Sequence, residues 1–473
     1  MNKKRILSAV FAGAAMMLAA CGDDSGSSPE PMPPVSGSSI PTSSAGNGGG
    51  NGGGNGGTAQ TYGILPATAN PTVALGWYNE WKDKYYRTYL TEATLYPVSA
   101  NDWGSVFGTY VMSGKYPARV VWDTSNDDYC IIDDCNDTYK KRGCTVSEGV
   151  GYGMLLTLFA GDFDAFNSLW YYNRGYREYQ GTNLMPWRTG MYSYESLGSM
   201  ANASSATDAD LDIATSLVLA HFMSGGDPYG FGYLNDALLV MAAIWDNEIS
   251  PTYMIYSGNT PTWKTATAAY NLSYFSPVAL KLFAMVDPSH DWTGVLNTMY
   301  AYMQNVQTAG GTGVFPDWSD ANGAPIDPKN GSATKTYWRF HHEAVRIPWR
   351  IAWDYYWTQD PRAQQVLNGM NTFIVNKTSG NPANLTATAG GHIYSAVSTM
   401  PDSTLKSQNL QSHWHGAWCL TGMGGNQAWV DACTASFNQN SIGSSFSYFP
   451  HILLTMYGEL LNGLFVKPAT LPL

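Results

Sequence analysis

The chain has 473 residues and a formal charge of −11, with 13% charged and 14% aromatic residues, among them 17 Trp and 31 Tyr. An acidic balance of this kind disfavours nucleic acid and anionic membrane surfaces as partners, since both are negatively charged. After the first twenty residues no apolar run approaches membrane-spanning length.

At the N-terminus, Lys3, Lys4 and Arg5 precede an apolar stretch from Ile6 to Ala20, too short to span a bilayer stably and flanked as a signal peptide is. It ends in Leu18-Ala19-Ala20-Cys21, which resembles a bacterial lipobox. Residues 1–21 are therefore expected to be a lipoprotein signal, with Cys21 acylated as the first residue of the mature chain. The mature chain then carries 22 basic and 36 acidic residues, a charge of −14. Gly22 follows Cys21 in place of an acidic retention residue, so the expected location is the cell envelope, at the outer membrane or cell surface. Residues 22–60 read as a linker, first rich in Ser and Pro, then only Gly and Asn over 46–57. Such a segment has too little apolar surface to offset the entropy of ordering. It suits a tether that lets a domain search a bulky substrate.

Residues 61–473 are expected to form one large domain. Apolar residues recur at helical spacing over 73–89, 148–160, 211–223, 234–245, 277–286, 293–306, 344–357, 361–375 and 447–464. Alternating β-branched runs are scarce, and long loops rich in Gly, Asn, Ser, Pro and Tyr separate the helices. The pattern predicts an all-α toroid whose loops build a groove at one end. Five cysteines fall in this domain. Cys419 and Cys433 read as a disulfide pair, while Cys130, Cys135 and Cys144 leave one thiol unassigned. The acidic residues around them (Asp127, Asp128, Asp133, Asp134, Asp137) lack the alternation of a calcium loop and read as a solvated loop.

Three segments concentrate chemistry. In Ser147-Glu148-Gly149-Val150-Gly151-Tyr152-Gly153, a carboxylate heads an apolar helix with three glycines behind it. Alone, Glu148 is equally well read as a charge favoured by the helix dipole. Thr207-Asp208-Ala209-Asp210-Leu211-Asp212 has more negative charge than capping needs, and Asp208 and Asp212 repel at i, i+4. In His342-Glu343-Ala344-Val345-Arg346, Glu343 and Arg346 stand i, i+3 and are placed to pair. The preceding His341-His342 lacks the four-residue spacing of a metalloprotease motif.

Together these segments resemble glycoside hydrolase family 8. Ala206-Thr207-Asp208-Ala209-Asp210-Leu211-Asp212-Ile213-Ala214 matches the family signature over its full length. Further likeness lies at Leu184-Met185-Pro186-Trp187, Asn271-Leu272-Ser273-Tyr274, Phe315-Pro316-Asp317-Trp318 and Ala344–Arg350, in the family's order over roughly residues 70 to 460. The resemblance implies an (α/α)6 barrel and hydrolysis of β-1,4 linkages with inversion. Glu148 is the implied general acid, and Asp208 the residue that contacts the sugar at the cleavage point. Trp187, Tyr274, Asp210, Arg346 and Asp317 are assigned to substrate binding. The implied general base is Glu343, although many members have Asp there and one branch draws its base from an inserted loop. Glu reaches about 1.5 Å further than Asp. The acid must hold its proton near neutral pH, so Glu148 and Asp208 are expected to approach each other. No cofactor or metal is expected, and the chain is expected to act as a monomer on a polysaccharide. Cellulose or mixed-linkage β-glucan ranks first, xylan second, and chitosan suits an acidic groove. A non-catalytic glycan-binding lipoprotein is the rival of another class.

Overall fold

Main-chain contacts divide the chain into Met1–Ala59 and Gln60–Leu473. The computed structural model describes residues 64–473 apart from 96–106, 123–144, 190–203, 228–229, 266–267, 329–337, 386–393, 396–411 and 443–446. The signal with Cys21, the linker, and the acidic loop with Cys130, Cys135 and Cys144 lie outside the described residues. Among the described residues, no helix is long and apolar enough to cross a membrane.

Twelve helices in chain order carry the architecture: α1 (Pro71–Tyr85), α2 (Ser147–Phe159), α3 (Phe163–Gln180), α4 (Thr207–Met223), α5 (Tyr233–Glu248), α6 (Pro277–Val286), α7 (Trp292–Gly310), α8 (Ile347–Thr358), α9 (Pro361–Lys377), α10 (Ser412–Thr421), α11 (Gln427–Phe437) and α12 (Tyr448–Leu461). The even-numbered helices form a closed inner ring: α2 packs on α4, α4 on α6, α6 on α8, α8 on α10, α10 on α12, and α12 back on α2. Each odd-numbered helix lies outside an inner one, with α1 against α12 closing the outer layer. This is an (α/α)6 barrel.

Sequence separates the two layers. Outer helices are amphipathic, and most start on a side-chain cap. Asn70 accepts from Thr72 N, Asp162 from Ala165 N, Asp291 from Gly294 N, Asp360 from Arg362 N and Asn426 from Trp429 N. Gly181 and Gly311 end α3 and α7 at φ 67° and 68°, a conformation that glycine adopts without steric cost. The inner helices are buried over most of their surface. In α4 every residue from Thr207 to Ala220 is buried, and in α2 only Glu148 is not. Inner starts such as Val146 before α2 and Ala206 before α4 have no side-chain cap. The first N–H of α2 is taken instead by a neighbouring segment, with Ser147 N donating to Trp187 O at 2.9 Å.

Much of the aromatic excess fills this core: Trp81, Trp170, Trp292, Trp349, Trp353, Trp414 and Trp418 are fully buried. Asp212 on α4 and Arg350 on α8 pair bidentately with no exposed side chain, and Arg350 Nε donates to Ser273 O at 3.2 Å. The Cys419–Cys433 disulfide joins α10 to α11. Strands are limited, among the described residues, to three two-residue or three-residue antiparallel ribbons. One matters for the site: Thr145–Val146 pairs with Arg188–Thr189 immediately before α2.

Candidate active site

The inner helices begin at one end of the barrel, and their first residues converge there. Glu148 is the second residue of α2, Asp208 the second of α4 and Tyr448 the first of α12. Glu343 and Arg346 lie in the turn entering α8, and Tyr274 precedes α6.

Arg346 ties the carboxylates together. Its Nη1 donates to Glu148 Oε2 at 2.6 Å and to Asp208 Oδ2 at 3.0 Å, and its Nη2 donates to Glu343 Oε2. The guanidinium is 2% exposed, Asp208 3%, Glu148 20% and Glu343 31%. The two glutamates therefore open on the groove, while Asp208 and Arg346 form its floor. Hydrogen-bond lengths and the span of one guanidinium keep the bound oxygens of Glu148 and Glu343 no more than about 8 Å apart. Asp208 Oδ1 accepts from its neighbour Ala209 N at 2.9 Å. Its small exposure leaves at most an edge for a sugar.

One positive charge among three carboxylates favours retention of a proton. Burial pushes the Glu148 carboxyl up to about 7; Arg346 opposes this, and the charges of Asp208 and Glu343 add to it. Burial also raises Asp208, against Arg346 and Arg350. Tyr448 Oη donates to Glu148 Oε1 at 3.0 Å. Gly149 makes that contact possible, because a Cβ there would stand 2.8 Å from the Tyr448 hydroxyl. Asn271 Nδ2 donates to Glu343 Oε2 at 2.7 Å and orients it from the second side. Tyr152 Oη lies 3.3 Å from Arg346 Nη1.

Trp187 is 36% exposed with the Arg188 guanidinium 4.7 Å over its ring. Tyr274 lies under Arg346 at 5.5 Å and meets the edge of Trp318 at 6.2 Å. Trp318 stacks on Trp263 at 5.7 Å and 9°. These half-exposed rings continue the groove from the carboxylates.

Two residues assigned to substrate binding are not on the groove wall. Asp210 is fully buried, and its Oδ1 accepts Met185 N at 3.0 Å. Asp317 is 6% exposed, and its Oδ1 accepts the main-chain N–H of His341, Glu343 and Ala344 at 3.1, 3.1 and 2.9 Å. It holds the turn that presents Glu343. Burial and the Glu343 charge push the Asp317 carboxyl up to about 8, and the three donors pull the other way. In both segments the charge is spent on the main chain. Sequence reading also missed Tyr448, Asn271, Trp263 and Trp318. Asn271 and Trp318 stand in segments singled out above, but nothing near Tyr448 points to a residue 300 positions away.

The family model for glycosyl hydrolases family 8 matches residues 122–412. Endoglucanase C of Ruminiclostridium cellulolyticum is 34% identical over 236 residues, 49% of this chain and 47% of that protein. Beta-glucanase of Niallia circulans is 28% identical over 311 residues, 62% of this chain and 75% of that one. The chain thus spans about half the length of the first of these relatives. Among solved structures, the apo β-1,3-1,4-glucanase from Paenibacillus sp. X4 superposes with a TM-score of 0.64 at 22% identity, covering 85% of this chain and 95% of that one. A cold-adapted family 8 xylanase gives 0.61 at 13% identity, covering 87% and 99%. At these identities the structural likeness speaks to the fold.

Proposed function

Because the chain belongs to glycosyl hydrolases family 8, we propose that it cleaves β-1,4 linkages inside a β-glucan with inversion, using Glu148 as general acid and Glu343 as general base. The observation that carries this is the single guanidinium of Arg346 bonded to Glu148, Asp208 and Glu343. An inverting site needs a protonated acid and a carboxylate base about 6.5–9.5 Å apart, with a water between base and sugar. The shared Arg346 keeps the two groove-facing glutamates below the upper end of that window. Glu148 gives its proton to the glycosidic oxygen as the bond to the anomeric carbon breaks. Glu343 takes a proton from the water that attacks the opposite face of that carbon. Asp208 keeps Arg346 in place, and its charge helps Glu148 hold its proton.

The relatives Endoglucanase C and Beta-glucanase support a β-glucan over xylan or chitosan. Both groove-facing glutamates and their polar partners favour catalysis over glycan binding alone. Glu148→Gln and Glu343→Gln should each lower kcat on mixed-linkage β-glucan by about 10²–10⁴-fold. Undiminished cleavage by either variant sinks that residue's role, and faster release of sugars from xylan than from β-glucan sinks the substrate.

We further propose that Cys21 carries the lipid and that residues 22–60 tether the enzyme at the envelope. Expressed in a bacterial host, the wild type should sediment with membranes and Cys21→Ser should not. Equal partitioning of the two contradicts the anchor.

A further inference from the structure

Two buried carboxyls lie behind the site and take no part in the chemistry above. Asp210 sits two residues beyond Asp208 on α4, and Glu248 is the last residue of α5; neither side chain is exposed. The two carboxyls lie against each other. Asp210 Oδ1 is occupied by Met185 N at 3.0 Å, and Glu248 Oε1 by the Ser205 hydroxyl. The remaining oxygens, Asp210 Oδ2 and Glu248 Oε2, are buried without a well-formed hydrogen bond, and the Thr207 hydroxyl faces Glu248. Two carboxylates in contact without a donor repel, whereas one proton between them supplies the missing hydrogen bond.

The segments they grip lead to the site. Pro186, next to Met185, forms an antiparallel bridge with Ser205, and Trp187 N donates to Ser204 O at 2.9 Å. Trp187 O accepts Ser147 N at 2.9 Å, one residue before Glu148. We propose that Asp210 and Glu248, joined by a single proton, are a positioning pair that fixes the strip 185–187 against 204–205. Through that strip they set the stations of Trp187 and Glu148 for the hydrolysis proposed above, on which this inference rests.

The charges facing the pair are Asp208 on α4 and Arg177 on α3, the latter held by Asp236 on α5 at 2.5 Å. Ser205 and Thr207 add hydroxyls. Burial comes first among the causes that hold Glu248 at about 7 and Asp210 well above the ordinary carboxylate range. A raised carboxyl favours the folded state at low pH, and that contribution is lost as pH rises through the folded-state value. Glu248→Gln keeps an acceptor for Ser205 and gives Asp210 an N–H donor, so it preserves the geometry and leaves no shared proton to lose.

The test uses the full chain and two readouts. Tm is followed from pH 6 upward, and kcat and KM are measured on mixed-linkage β-glucan at pH 6. Glu248→Gln should keep kcat and KM close to wild type and show a flatter alkaline fall in Tm. Glu248→Ala should raise KM and lower kcat, reducing kcat/KM about 100-fold, as expected for a displacement of about 1 Å at the reacting groups. A Glu248→Gln protein with the wild-type alkaline fall in Tm overturns the shared proton. A folded Glu248→Ala protein with wild-type kcat and KM overturns the positioning role. The Tm readout needs no substrate, so a chain that hydrolyses nothing refutes the hydrolase reading while Tm still decides the pair.

Discussion

Arg346 meets three carboxylates with one charge, and burial raises two of them, Glu148 and Asp208. Glu148 is the one raised to about 7, with Asp208 and Glu343 opposing its ionisation. The acid works only while protonated, so kcat/KM should fall as pH rises above about 7. A profile of kcat/KM against pH on β-glucan checks this; a rise through pH 7 to 8 would exclude Glu148 as the acid. Glu148, Asp208, Glu343 and Arg346, which the structure brings into contact, each sit in a short segment of unusual chemistry. The same kind of segment led to Asp210 and Asp317 being assigned to substrate binding, and both are buried. Sequence shows where charge is, and only the fold shows that Met185 N and the turn 341–344 consume it. Tyr448 was not legible, since its partner Glu148 is brought to it by closure of the ring.

The barrel helices divide into two kinds, and their legibility differs. Strongly apolar or amphipathic stretches such as 148–160, 234–245 and 277–286 gave helices within a few residues of their observed ends. The 3-10 turn Ala344–Arg346 takes the start of the predicted 344–357 helix, because Pro348 fits only the first turn of an α-helix. Three helices were passed over: α3, α10 and α11. The middle of α3 is Trp170-Tyr171-Tyr172-Asn173, residue types of low helix propensity, and α10 mixes His, Trp and Gly. Packing against α2 and α12 overrides those preferences. In α2 the glycines were legible as sites of close approach, but not what approaches. A Cβ at Gly149 would displace the Tyr448 hydroxyl from Glu148. Gly149→Ala should therefore lower kcat about 3–10-fold, the worth of one hydrogen bond. That bond favours the ionised acid, so its loss should move the alkaline limb to higher pH. An unchanged rate and profile would mean that Tyr448 has no part in tuning Glu148.

At the scale of the whole molecule, the closed inner ring explains why residues as far apart as Glu148, Asp208, Glu343 and Tyr448 meet. Each inner helix delivers its first turn to the same end of the barrel. The all-α toroid was legible from helical spacing and the scarcity of strand patterns, and its six-fold form from the family resemblance. The aromatic excess was a weaker guide, since among the described residues seven tryptophans are fully buried. The acidic balance of −11 bears on partners and not on fold. The central claim is that an acid and a base stand on opposite faces of one glycosidic bond. Proton NMR of the reducing ends released during the first minutes of β-glucan hydrolysis tests it most directly. The α-anomer should accumulate first and then mutarotate. Initial appearance of the β-anomer would mean retention, and would contradict the arrangement in which Glu343 delivers water to the bond that Glu148 protonates.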